Sequence, residues 1–341
     1  MILREHVNKE QGLPDLLNFA YHIGDGVIVN KDGAFMVCFR FRGPDIYSAS
    51  QGELDGLTAN FNRMTTFLED GWMVHVDNMR IPSVTYPKQG YFPNSVASLI
   101  DEERRVLYEA EGSHFENIQF MTFVWKWPMT IVKNTKHLFV DGLDESDKNE
   151  QSLANLLETF NDQIERCVGL LSSNLLLEKL PIADFLSILH ASISGELLPI
   201  NVPDNAFLDA ILGRNAVVGG YIPKVGNKNI YTLSIVGYLN NETTPGILEE
   251  LSTYPILYRW SNRFIPLSES TADKEIKQYQ KHWRNKVKGL AGIVKEAVFG
   301  RTTDKINIDA LQMANETTDA ITANSNRSVR FGYWTSTLVL M

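Results

Sequence analysis

The chain has 341 residues, 44% hydrophobic and 21% charged, with a formal net charge of −9. That length and composition fit a globular protein with room for two lobes and a sizeable core. The negative balance excludes a general nucleic-acid-binding surface, which needs a basic footprint.

Two cysteines, Cys38 and Cys167, stand far apart in the chain, which fits a reducing setting better than a disulfide scaffold. The seven histidines are scattered and lack zinc-ligand spacing. No apolar run approaches the roughly 20 residues that cross a bilayer. Met1 to His6 lacks the apolar core of a signal peptide, so the reading is neither spanning nor secreted.

A short amphipathic start covers Leu13 to Tyr21, and Gly26 to Asn30 reads as a strand. The Asp32-Gly33 turn then leads into a strand from Ala34 to Arg42. Its face with Phe35, Val37, Phe39 and Phe41 is apolar, whereas Met36, Cys38, Arg40 and Arg42 make a half-buried one. Ser50 and Glu53 form a capping box for a helix to about Glu69, striped by Leu54, Leu57, Phe61, Met64 and Leu68. Trp72 to Asp77 is a strand. A charged helix from about Asn94 to Glu111 follows, with Val96, Leu99, Ile100 and Leu107 expected inward. Ile118 to Trp127 is the next strand, and its Trp125 and Trp127 read as core or interface.

Met129 to Glu150 reads as a polar excursion with one apolar knot, Leu138 to Val140. The helix from about Gln151 to Leu171 carries the cleanest stripe: Leu153, Leu156, Leu157, Phe160, Ile164, Val168 and Leu171. Shorter helices fit Pro181 to Ala191 and Pro203 to Leu212. A hairpin of Val217–Ile222 and Ile230–Tyr238 is expected around Gly226 to Asn229. Next come a helix at Pro245 to Leu251 and a strand at Ile256 to Leu267. A long basic helix from about Ala272 to Phe299 has Ile276, Tyr279, Trp283, Val287, Leu290, Val294 and Val298 as its stripe. Its Lys274, Lys277, Lys281, Arg284, Lys288 and Lys295 are either a solvated face or a contact for anionic lipid.

A helix from Asp304 to Thr322 precedes the final strand, Phe331 to Leu340. Both faces of that strand turn apolar, yet no cap, turn or polar tail follows, so the chain reads as a piece of something longer. The fold class is α+β, with antiparallel-rich sheets and helices packed on them. Both halves share one element order. This is either a repeat of a ferredoxin-like split β-α-β unit or an order that many α/β chains share. The lobes divide as 1–128, a mainly helical connection 129–215, and 216–341.

No catalytic, cofactor-binding or metal residue is assigned. The nearest approach to a P-loop is Gly300-Arg301-Thr302, but position 295 is Lys and the base is Arg. There is no G-x-G-x-x-G, no G-x-S-x-G and no H-E-x-x-H. Glu102 and Glu103 are adjacent on a helix, where such charges make surface i,i+4 pairs rather than a catalytic dyad. His22, His75, His114, His137, His190 and His282 have no partner visible from spacing.

The strings Asn30–Gly33, Phe39–Asp45 with Ser48–Ser50 and Glu53-Leu54, Asp101–Arg105, Gly112–Glu116, Tyr258–Leu267 and Phe331–Thr337 point to a family. Their order and spacing resemble the TrbE/CagE/VirB conjugal-transfer and type IV secretion ATPases, nearest the TrbE-like branch. The resemblance implies an N-terminal assembly and docking domain, with the last strand leading toward a RecA-like motor. ATP and Mg²⁺ would be held in that motor, so no nucleotide-binding residue transfers to this chain. It also implies hexamers on the cytoplasmic side of the bacterial inner membrane, and inner-membrane secretion subunits as partners. Direct nucleic-acid binding is not expected. A peripheral membrane-binding domain, and a self-contained α/β enzyme using His75 or His114, are the alternatives.

Overall fold

A computed structural model describes residues 12–45, 47–83, 86–88, 90–111, 114–127, 146–202, 206–235, 246, 248–287 and 308–341. The apolar knot at 138–140, His137, the Gly300 region and the stripe beyond 287 lie outside the described residues. The fold is α+β, built on one nine-stranded sheet in the order β1-β2-β3-β5-β4-β11-β12-β10, with β6 on β3. These strands are β1 (Phe19–His22), β2 (Ile28–Asn30), β3 (Phe35–Arg42), β4 (Trp72–Ser83), β5 (His114–Trp125), β6 (Leu176–Lys179), β10 (Tyr231–Ser234), β11 (Tyr258–Pro266) and β12 (Gly332–Leu340).

Both halves of the sheet are wired alike. In the first, β5 inserts between β3 and β4 and is antiparallel to both. In the second, β12 inserts between β10 and β11 in the same way. Each half is thus a split β-α-β unit whose third strand fills the gap left by the first two. The halves join edge to edge through antiparallel β4 and β11, from Tyr258↔Arg80 to Phe264↔Val74.

The helical layers differ between the halves. Helix α2 (Gln51–Thr66) connects β3 to β4, begun by the Ser50–Glu53 capping box. The connection from β10 to β11 holds, among its described residues, one 3-10 turn at Glu249–Ser252 where the sequence reading placed an α-helix. The β4–β5 connection carries α3 (Ser95–Glu111). The β11–β12 connection carries α7 (Glu269–Val287) and α8 (Ile308–Ser325), an antiparallel helical pair tied by Gln280 to Thr318 and by Asn324 to the Glu269 carbonyl.

Sheet alternation sets two cores in the first half. On the front face, Phe35, Val37, Phe123, Trp125, Trp72 and Val74 pack beneath α2 and α4 (Ser146–Leu171). The stripe of α4 lands there, with Phe160 and Leu171 fully buried and Ile164 nearly so. On the back face, Met36, Cys38, Phe120, Val124, Met79 and Ile81 meet α5 (Ile182–Ser194) and α6 (Leu208–Leu212). The α4–α6 stretch therefore clothes both faces of the first half. In the second half, Tyr333 and Trp334 point to opposite faces and both stay about half exposed.

Several boundaries differ from the sequence reading. The amphipathic start splits into α1 (Leu13–Leu16) and β1, and β6 forms where no strand was expected. Strand β4 runs on past Asp77 to Ser83, because β5 pairs it along its whole length. The expected hairpin at 217–238 divides. β7 (Val217–Val218), β8 (Lys224–Val225) and β9 (Lys228–Asn229) make their own small sheet, while β10 leaves to pair with β12. The turn Val225–Lys228 is too tight to serve both pairings.

Candidate docking surface

The histidines singled out from sequence are not brought together. His75 sits on the back face between Thr122 and Arg263, and burial pushes its pKa down. Its Nδ1 is buried and has no hydrogen-bond partner among the described residues. His114 lies opposite Ser83, eight residues further along β4, or roughly 26 Å away at the rise of a strand. His114 stacks on Tyr108 with ring centroids 3.6 Å apart and donates to the Tyr108 carbonyl. His190 is fixed through Nδ1 by Ser194 and the Glu196 carbonyl, while His282 lies edge-on to Trp283. Among the described residues, no three His, Cys, Asp or Glu gather as metal ligands.

The two cysteines lie on opposite faces of the sheet, Cys38 in the back core and Cys167 in the front. Burial pushes each thiol up to about 12, so neither presents a thiolate at neutral pH. Native protein is expected to leave both thiols unmodified by a disulfide reagent such as DTNB. Urea should release both together, and fast native labelling of either would contradict the burial.

A cleft of about 770 Å³ opens where β3 turns from β5 to pair with β6. Arg40, Arg42, Glu116 and Glu178 surround it, with Leu176, Leu177 and Leu197 adding apolar walls. Its charges balance, which suits a neutral or mixed surface better than a phosphate site. Beside it, the N-terminal half of α2 and the sheet enclose an apolar groove of about 460 Å³ lined by Phe41, Leu57, Phe61, Val76 and Met121.

The basic face of α7 is partly neutralised by its own helix, since Lys277 bonds Asp273 at 2.6 Å. Lys274, Lys281 and Arg284 remain exposed. Tyr279, read from sequence as part of the buried stripe, is instead 64% exposed, because α7 packs on a single neighbouring helix and only part of a broad stripe is covered.

The largest departure from expectation is α3. Val96, Leu99, Ile100 and Leu107, expected inward, are exposed, as is Val106, and the helix has no buried residue. Its sheltered side is the polar one. Tyr86 donates its hydroxyl to Asp101, Tyr108 donates to Ser83, and Glu102 takes Arg105 at i,i+3 rather than at the expected i,i+4 spacing. The cause lies in the β4–β5 ribbon. The β11 ladder reaches only Arg80, so Ile81 to Ser83 and their partners run past that ladder and carry α3 with them. Sequence periodicity shows that a stripe exists; it does not show which way a helix at a hairpin tip will turn.

Residues 26–132 match the N-terminal domain of the type IV secretion system ATPase VirB4/TrbE. The conjugal transfer protein TrbE of Rhizobium radiobacter is 27% identical over 344 residues, covering 96% of this chain and 41% of that protein. Sinorhizobium fredii (strain NBRC 101917 / NGR234) has a probable conjugal transfer protein TrbE that is split into two chains. The first of these is 38% identical over 105 residues, 30% of this chain and 70% of that one. The second is 32% identical over 157 residues, 46% of this chain and 23% of that one. This chain therefore spans well under half the length of the Rhizobium relative.

Proposed function

The chain belongs to the VirB4/TrbE family of type IV secretion system ATPases, and we propose that it serves there as an assembly and docking module. The observation that carries this reading is α3, an amphipathic helix with its apolar stripe turned to solvent at the end of a strand ribbon. Aliphatic side chains held outward at helical spacing are the usual dress of a protein interface. The matched family stretch, residues 26–132, includes this arm.

In the longer protein this module would hold a motor that energises pilus assembly and the transfer of DNA or protein. ATP and Mg²⁺ would bind in that motor, outside these 341 residues. The assembled form would be a hexamer on the cytoplasmic side of the bacterial inner membrane, contacting inner-membrane secretion subunits and its own neighbours. Among the described residues, no helix is long and apolar enough to cross a membrane. Any contact with lipid would therefore be peripheral, and the exposed Lys274, Lys281 and Arg284 of α7 favour that second reading.

The test is dominance. Donor cells carrying the cognate conjugation system and overproducing residues 1–341 are expected to lose at least about tenfold in transfer frequency, since docking without a motor occupies sites needed by the full protein. Undiminished transfer at an expression level well above that of the native protein would overturn the docking reading.

A further inference from the structure

We propose that the outward face of α3 is the seat of a basic amphipathic helix from a partner protein, with Glu103 as the charge that selects it. This deepens the docking reading above and rests on it.

Plotted at 100° per residue, Val96, Leu99, Ile100, Glu103, Val106 and Leu107 fall within one arc of about 120°. The opposite arc holds Ala97, Ser98, Asp101, Glu102, Arg105 and Tyr108, the partly sheltered positions. The helix is thus polar toward its own protein and apolar away from it. Val96, Leu99, Ile100, Val106 and Leu107 are 51–61% exposed, too much for residues that have found a core. Polar attachment also fixes the orientation. The Tyr86–Asp101, Tyr108–Ser83 and His114–Tyr108 contacts all lie on the back of the helix and pin the stripe outward.

Charge decides among occupants. From Asp101 to Glu111 the helix carries five acidic side chains and two basic ones, a net of −3. One base, Arg105, is already engaged by Glu102 and Glu109. Glu103 is exposed and stands in the middle of the aliphatic arc, on the side away from those pairs. A second copy of α3 laid against this face would bring Glu103 onto or near its own equivalent, and like charges at the centre of an apolar contact are costly. An anionic lipid surface meets the same acidic field. A helix with its own aliphatic stripe and a Lys or Arg set to meet Glu103 gains both the apolar contact and the ion pair.

The experiment measures binding of the 341-residue chain to two labelled helical peptides, one of leucine and lysine and one of leucine and glutamate, by fluorescence anisotropy. The leucine–lysine peptide is expected to bind and the leucine–glutamate peptide to bind at least tenfold more weakly. Leu99→Ser with Leu107→Ser should weaken the first peptide at least tenfold while leaving the thermal midpoint unchanged, because neither side chain is packed. Glu103→Lys should reverse the preference between the peptides. Equal binding of the leucine–lysine peptide to wild type and to the double serine variant would overturn the proposal. So would a dimer, seen by light scattering, that the serine variant dissolves, or co-sedimentation with vesicles of anionic phospholipid that it abolishes. The dominance assay separates the two levels. If the wild-type chain suppresses transfer and the serine variant suppresses it equally, docking stands and the α3 seat falls. If the wild type does not suppress transfer, the docking reading falls whatever the peptides do.

Discussion

Truncation of Phe160 to alanine is expected to lower folding stability by about 3–5 kcal/mol, the upper end of the range for a single core truncation. Phe160 is fully buried at the centre of the front core, where α4 meets the sheet. Its ring stacks on Trp72 with centroids 5.7 Å apart and an interplanar angle of 12°, and on Trp125 at 6.3 Å and 10°. Phe35 closes the cluster at 5.6 Å, and Trp127 sits 4.8 Å beyond it. Removal of the ring leaves a cavity walled by three large aromatics that stiff strands hold in place, so little collapse can offset the lost contacts. Against a total of about 5–15 kcal/mol for an ordinary domain, that is a third or more. The check is a urea melt with the midpoint lowered at unchanged slope, together with a weaker near-ultraviolet circular dichroism signal from the tryptophan stack. A loss below about 1 kcal/mol would mean that the cluster is not the keystone of this core.

That cluster was legible in the sequence in a way the docking arm was not. The seven-position stripe of α4 is so regular that its face and its register toward the sheet follow from spacing alone. Strand β3 is equally plain, since its two faces part cleanly into Phe35, Val37 and Phe39 against Met36 and Cys38. β12 was readable as a strand, and so was its correspondence with β5, because alternation survives along its whole length. What spacing cannot supply is the identity of the neighbour. Leu99 and Leu107 of α3 have the pattern of core residues, yet the element lies beyond both cores. Leu176 and Leu177 of β6 made no strand signal because four residues are too few for a period; the open edge of β3 recruits them. β10 likewise follows the longer partner, β12, over its nearer hairpin companion. Tertiary pairing overrides local propensity in each case.

The second large effect falls at the seam. Asp77→Ala is expected to cost about 2–4 kcal/mol, because it leaves the guanidinium of Arg259 partly buried without its partner. Asp77 is 2% exposed on β4, and Arg259 reaches it from β11 with Nε and Nη2, each at 3.2 Å. The side chain of Arg259 keeps 25% of its surface in water, which places the expected loss below that of a fully buried pair. A double variant, Asp77→Ala with Arg259→Met, is expected to recover part of the loss, since no uncompensated charge then remains and the methionine stem fills the same space. This pair is one clasp among several between the halves. Arg330 caps the end of α2 through the Thr66 carbonyl, and Asn62 holds the Ser328 carbonyl just ahead of β12. Hydrogen exchange distinguishes a local clasp from a global one. With Asp77→Ala, the amides of β4 and β11 facing each other should lose protection first, while the β3–β5 ladder stays close to wild type. Equal loss across all these strands would show that the two split β-α-β halves open as one cooperative unit. In either outcome, a force applied to β12 has a short path to the α3 arm. It passes through β11, across the Asp77–Arg259 seam to β4, and out along the β4–β5 ribbon.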